Sequence, residues 1–172
     1  MGSPRTPRVR RGLFEQARIL VVRGELPAAH QALDAVLVAE PTHRGALLLK
    51  ARVLLDERDG PRALAVLDGA VAAWPRSAEA RNERARCLHA IGDDVAALAE
   101  AERARALLDE GDNDLQAGPV YLTLVWCLRE MRLFREALAM AEEGLRRVPD
   151  AILANWARTV EEELAEAQKE EC

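Results

Sequence analysis

Residues 41–75 read PTHRGALLLKARVLLDERDGPRALAVLDGAVAAWP, and the punctuation of this stretch decides the fold. Leu47, Ala51 and Leu54 recur at helical spacing and set apolar side chains along one face. Asp59-Gly60-Pro61 interrupts them, and Ala63, Leu67 and Ala70 then define a second apolar face at the same period. Pro75 stops that second helix, because proline has no amide hydrogen to donate and its ring clashes with the preceding turn. The stretch is therefore a helix, a turn, a helix and a stop. Small residues at facing positions suit helices whose axes approach to about 8–10 Å.

Shifting the chain by 34 residues brings the same features into coincidence. Ala17, Ala51 and Ala85 share one position, Leu20, Leu54 and Leu88 another, and Ala29, Ala63 and Ala97 a third. Pro41, Pro75 and Asp109 share the stop, and Gly24 and Gly92 the turn, which Asp59-Gly60-Pro61 supplies in the second unit. Such agreement at one interval marks a repeat array; a non-repeating helical bundle has no reason to show it.

A fourth unit follows out of register. Tyr121, Leu124, Val125 and Leu128 take the first-helix positions, and Ala137, Ala141, Gly144 and Pro149 the second-helix ones. Its stop lies 40 residues after Asp109. The excess falls in the polar stretch 109–116, whose acids lack the spacing of a calcium loop and which reads as a solvated insertion. Over 151–172, Ile152, Trp156, Val160 and Leu164 form one narrow stripe with charge on the other faces, as expected of a helix that closes the end of an array. The expected organisation is a disordered basic tail over 1–11, repeats over 12–41, 42–75, 76–109 and 117–149, and a capping helix over 151–172.

Leu13-Gln16-Ala17-Leu20, Leu47-Lys50-Ala51-Leu54, Arg81-Arg84-Ala85-Leu88 and Tyr121-Leu124-Val125-Leu128 stand where the signature W-x2-L-G-x2-Y has its fixed positions. Over residues 12–150 the chain thus resembles the tetratricopeptide repeat family, with most aromatic positions changed to leucine. The resemblance implies an all-α fold: a right-handed α-solenoid of about four helix-turn-helix repeats with a C-terminal capping helix. In that family the first helices of successive units line a concave groove in which ligands lie.

Carried over position by position, the resemblance places Arg18, Arg52 and Arg86 in the groove, with Trp126 at the matching place in the fourth unit. Phe14, Leu48, Asn82 and Leu122 take a neighbouring inward position, and His89 and Arg129 another, shared with Val21 and Leu55, which read as packing residues. Arginine keeps its charge at working pH, and its planar fork gives two hydrogen bonds to one carboxylate. The expected partner is therefore an acidic or amphipathic segment of another protein, with Trp126 as an aromatic anchor. Family members that grip chaperone C-termini carry Lys and Asn where Phe14 and Arg18 stand, so that tail is not the expected ligand.

Composition narrows the function classes. Lys+Arg 24 against Asp+Glu 29 leaves a net charge of -5, which argues against a nucleic-acid surface. No stretch is long and apolar enough for a membrane span. Cys87, Cys127 and Cys172 are widely spaced and read as reduced thiols in a cytoplasm, with no zinc pattern. His30, His43 and His89 are scattered, none sits beside a nucleophile, and no glycine-rich phosphate loop occurs, so neither an enzyme nor a cofactor is expected. The Ala, Arg and Leu bias is that of a GC-rich bacterial genome. Two other readings fit an array of this size. One is a cytoplasmic chaperone for secreted translocator proteins. The other is a self-assembling homo-oligomer whose acidic end, Glu170-Glu171-Cys172, enters a neighbour's basic groove.

Overall fold

The structure is a computed structural model that describes residues 7–110 and 114–170. Residues 1–6 of the expected tail, 111–113 of the insertion, and the last two residues, Glu171 and Cys172, lie outside the described residues. Among the described residues there are nine α-helices and no strand. They are α1 (Pro7–Val22), α2 (Leu26–Ala39), α3 (Arg44–Asp56), α4 (Gly60–Ala73), α5 (Ala78–Ala90), α6 (Asp94–Asp109), α7 (Ala117–Glu130), α8 (Phe134–Arg147) and α9 (Ala151–Glu170), with a short 3₁₀ turn at Asp114–Gln116 before α7. Residues 7–11, expected in a disordered tail, instead form the start of α1. Proline suits a first helical turn, where its missing amide hydrogen is not needed, and the arginines after it are good helix formers.

Each helix pair is joined by the same turn. The amide of Gly24 donates to Val21 O and that of Glu25 to Leu20 O; Arg58 to Leu55 O and Asp59 to Leu54 O; Gly92 to His89 O and Asp93 to Leu88 O; Arg132 to Arg129 O and Leu133 to Leu128 O. This nested pair of bonds closes a helix through one residue of positive φ. The residue is Gly24 at 74°, Arg58 at 64°, Gly92 at 85° and Arg132 at 60°. In the second repeat the turn was expected at Asp59-Gly60-Pro61. The structure moves the left-handed residue to Arg58, because Asp59 is needed as the N-cap of α4, accepting from the Arg62 amide, and Gly60 is already helical. Asp93 caps α6 in the same way, and Ser77 and His43 cap α5 and α3.

The chain forms two compact units, Met1–Pro75 and Arg76–Cys172. In the first, α1 packs on α2, α3 on α4, and α3 on both α2 and α1. Ala17, Ala32, Leu33, Val36 and Ala46 form its buried centre, against which Leu13, Phe14, Leu20, Leu37 and Leu49 pack in part. In the second, α5 pairs with α6 and α7 with α8, while α7 also meets α5, α6 and α9, and α9 lies along α8. Tyr121, Leu124, Val120, Leu108, Leu153 and Val160 are its large buried side chains, each contributing roughly 1.5–3 kcal/mol relative to exposure. Alanine and glycine at crossing points let these helices approach. A Cβ on Gly144 of α8 would lie 2.6 Å from Leu153 Cδ2 and 2.7 Å from Tyr121 Cγ.

The second unit also buries charge. The Glu100 carboxylate, almost wholly enclosed, takes Arg81 at 3.3 Å, Arg84 at 3.2 Å and Arg103. Glu143 accepts from Tyr121 Oη at 2.7 Å and from Arg105 Nη1 at 2.9 Å. A charge as buried as that of Glu100 persists only when paired in this way, whereas Glu143 and Arg105 are each about a third exposed.

Candidate functional site

The first helices supply the candidate positions, and the structure sorts these into open and enclosed. In the first unit Arg18 is well exposed on α1, its Nη1 reaching Glu15 at 3.1 and 3.3 Å. Arg52 is exposed on α3. Phe14 is half-buried, its ring 4.9 Å from that of His43, and it lies against Gly45, where a Cβ would stand 2.7 Å from Phe14 Cζ. Leu48, expected to line an open surface, is buried. Between α1 and α3 a mostly apolar depression of about 390 Å³ is lined by Glu15, Arg18, Ile19, Val21, Val22, Arg23 and Leu49. Val21 therefore faces a surface hollow, where a packing role was expected.

In the second unit most candidates already have partners from the fold. Asn82 is buried, and its Oδ1 meets no donor among the described residues. Arg86 Nη1 spans both oxygens of the buried Glu83 at 3.2 Å. His89 Nδ1 lies 2.6 Å from Asp94 Oδ1. Leu122 packs against the core.

The fourth-repeat candidates meet α9. Trp126 stands edge-on to Trp156, with ring centroids 6.3 Å apart and planes at 75°. The Arg129 guanidinium lies 5.5 Å from the Trp156 centroid and donates from Nε to both Glu163 oxygens at 3.0 and 2.8 Å. Hydrogen bonding to Glu163 raises the Arg129 pKa, outweighing the opposing effect of burial. Trp156 and Glu163 are thus the residues that sequence reasoning did not connect with this site. Trp156 was visible only as one member of a packing stripe, and Glu163 only as one acid in a run of three.

Among the described residues no group of three or more His, Cys, Asp or Glu is placed to hold a metal ion, and no helix is long and apolar enough to cross a membrane. Cys87 and Cys127 are buried. Burial, with a smaller push from the Asp94 charge, drives the Cys127 thiol up to about 12, so it is protonated and a poor nucleophile.

The sequence model of the family described as tetratricopeptide repeat matches residues 14–75 and 48–114. No curated protein matches the sequence. Solved structures of similar fold include a thermophilic tetratricopeptide repeat protein of Thermus thermophilus, 21% identical with TM-score 0.75, the match covering 90% of this chain and 82% of that one. PilF of Pseudomonas aeruginosa is 18% identical with TM-score 0.79, over 91% of this chain and 69% of that one. YrrB, titled a tetratricopeptide repeat protein with an unusual peptide-binding site, is 21% identical with TM-score 0.66, over 87% and 74%. At these identities the likeness is one of fold.

Proposed function

Because the chain belongs to the tetratricopeptide repeat family, we propose that it is a non-enzymatic interaction module that binds an acidic or amphipathic segment of another protein through the first helices of its repeats. The observation that carries this is Arg18, an exposed guanidinium beside the apolar depression between α1 and α3. Arg52 repeats the same position one unit on, and it too is exposed. A hollow lined by valine, isoleucine and leucine takes an apolar side chain, and Arg18 and Arg23, which also line it, take the carboxylates that flank one. Arg86, with Trp126 and Arg129, extends the same helix face in sequence, but these three already engage Glu83, Trp156 and Glu163. We weight the site towards the first two repeats because Arg18 and Arg52 are exposed and the Glu15 that pairs with Arg18 is exposed too, whereas Arg86 is held by the buried Glu83. The -5 charge favours a protein partner over nucleic acid, and we place the protein in the cytoplasm of a bacterium. YrrB, a similar fold whose title gives it a peptide-binding site, supports the same class of activity.

The test is fluorescence anisotropy with a set of labelled amphipathic peptides, each made in an Asp/Glu form and in an Asn/Gln form. The acidic forms are expected to bind the wild type with an affinity that falls as salt rises. Arg18→Gln with Arg52→Gln is expected to weaken binding at least tenfold with unchanged helicity by circular dichroism. A charge-assisted hydrogen bond contributes about 1.5–3 kcal/mol when shielded and less when wet. Equal binding of the neutral forms, or by the double variant, would remove the arginines from the site.

A further inference from the structure

Position 19 is where the first repeat departs from the others. Ile19, Val53, Cys87 and Cys127 occupy the same place on the first helices of the four repeats, and the last three are fully buried. Val53 is on α3, which packs on α1 and α2; Cys127 is on α7, which packs on α5 and α6. Ile19 is 52% exposed, and Val22, nearly one turn further on, is 87% exposed. They join Val21 and Leu49 in the apolar depression of about 390 Å³. Contiguous exposed apolar surface at a place that the other repeats bury is the signature of a docking face.

The charges around Ile19 indicate what docks. Glu15 lies one turn before it and Arg23 one turn after, and the bond from the Arg23 amide to Ile19 O, 3.0 Å, carries the helical path through Arg23. The stripe thus reads acid, apolar, base at i, i+4 and i+8. Laid antiparallel on itself about a two-fold axis through Ile19, it sets each Glu15 opposite the Arg23 of the other copy and Ile19 against Ile19. This antisymmetry makes the stripe complementary to itself, which is what an isologous contact needs and an unrelated partner does not. The present partners give way readily. Glu15 pairs with Arg18 at 3.1 Å and Arg23 with Glu25 at 4.0 Å, all more than half exposed, and such pairs contribute little.

We propose that this face of α1 is a self-association surface on which a second copy of the chain pairs α1 against α1, antiparallel, with Ile19 at the centre and reciprocal Glu15–Arg23 ion pairs on either side. The proposal does not rest on peptide binding, but it uses part of the same depression, so a bound peptide and the dimer exclude each other and self-association is measured on the protein without peptide.

Sedimentation equilibrium over a wide concentration range tests it with five proteins of the full chain: wild type, Ile19→Asp, Glu15→Arg, Arg23→Glu, and the exchange Glu15→Arg with Arg23→Glu. None of these side chains lies in the core, and circular dichroism checks that all five are equally helical. The wild type is expected to dimerise, and Ile19→Asp and both single charge changes to weaken the dimer at least tenfold, because like charges then face each other. The double exchange is expected to restore it, since the antisymmetry is reversed but kept. A wild type that is monomeric throughout, a dimer indifferent to the single changes, or a double exchange no better than the single ones would each overturn the proposal.

Discussion

Arg129 Nε donates to both oxygens of Glu163, at 3.0 and 2.8 Å, and so ties the first helix of the fourth repeat to the helix that closes the chain. The same guanidinium rests against Trp156, which meets Trp126. The candidate groove position of the last repeat is therefore occupied by the chain's own α9.

Removing the charge at one end of this contact loosens α9. With the two side chains 31% and 25% exposed, Glu163→Gln is expected to cost about 1 kcal/mol, after allowing for solvent screening. Urea unfolding followed by tryptophan emission measures it. Trp126 and Trp156 should shift to the red in the native baseline as water reaches them, an effect that a loss of charge elsewhere on α9 would not produce.

Gly144 and Gly69 are both helical glycines and should respond oppositely to alanine. At Gly144 the new Cβ would meet Leu153 and Tyr121 below 2.9 Å, and Gly144→Ala is expected to destabilise by about 2 kcal/mol through overpacking. At Gly69 nothing lies within 4 Å, and Gly69→Ala is expected to stabilise by about 0.5–1 kcal/mol through helix propensity and the unfolded chain's lower entropy. Thermal melts of the two variants decide the matter.

Arg58 holds φ at 64° in the turn where Gly24 and Gly92 hold 74° and 85°. A side chain in this conformation costs about 1 kcal/mol that glycine avoids. Arg58→Gly is accordingly expected to raise stability by up to about 1 kcal/mol, as glycine is the favoured residue just past a helix end, and calorimetry would show it as a higher Tm. An unchanged or lower Tm would mean that the turn carries no strain.

The Cys127 thiol, pushed by burial up to about 12, makes stability depend on alkaline pH. With the folded pKa above the unfolded value of 9.0, the unfolded chain loses its proton first. Stability is therefore full below pH 9 and falls as pH rises towards 12, by at most about 4 kcal/mol at 1.36 kcal/mol per unit. Denaturation midpoints measured across that range should fall less steeply in Cys127→Ala. Part of the slope should survive, because the Tyr121 phenol is also raised, first by burial and then by its hydrogen bond to Glu143.

Periodicity made the helices, their order and the repeat interval legible before any coordinate. Ala17, Ala29, Leu33, Ala51, Leu67, Ala85 and Ala101 recur at set intervals, and all are buried. Proline, glycine and the Asp59-Gly60-Pro61 turn act over a few residues, so those ends of the helices could be read locally. The turns were legible only in part: glycine announced two of the four, while Arg58 and Arg132 adopt the same left-handed conformation without announcing it. The packing of the two helices they join demands that geometry, whatever the residue.

The site was less legible, because exposure depends on neighbours far along the chain. Sequence alone determined that Arg18, Arg52 and Arg86 share one helix face, since a 34-residue interval and a 3.6-residue turn are properties of the local chain. Only the tertiary structure decided that Leu48 and Asn82 on that face are enclosed, that Trp126 and Arg129 are covered by Trp156 and Glu163, and that Ile19 is open where Val53, Cys87 and Cys127 are not. A helical position specifies a direction around its own axis. Whether water, another helix or a partner stands in that direction is settled by elements tens of residues away, and no local pattern records them.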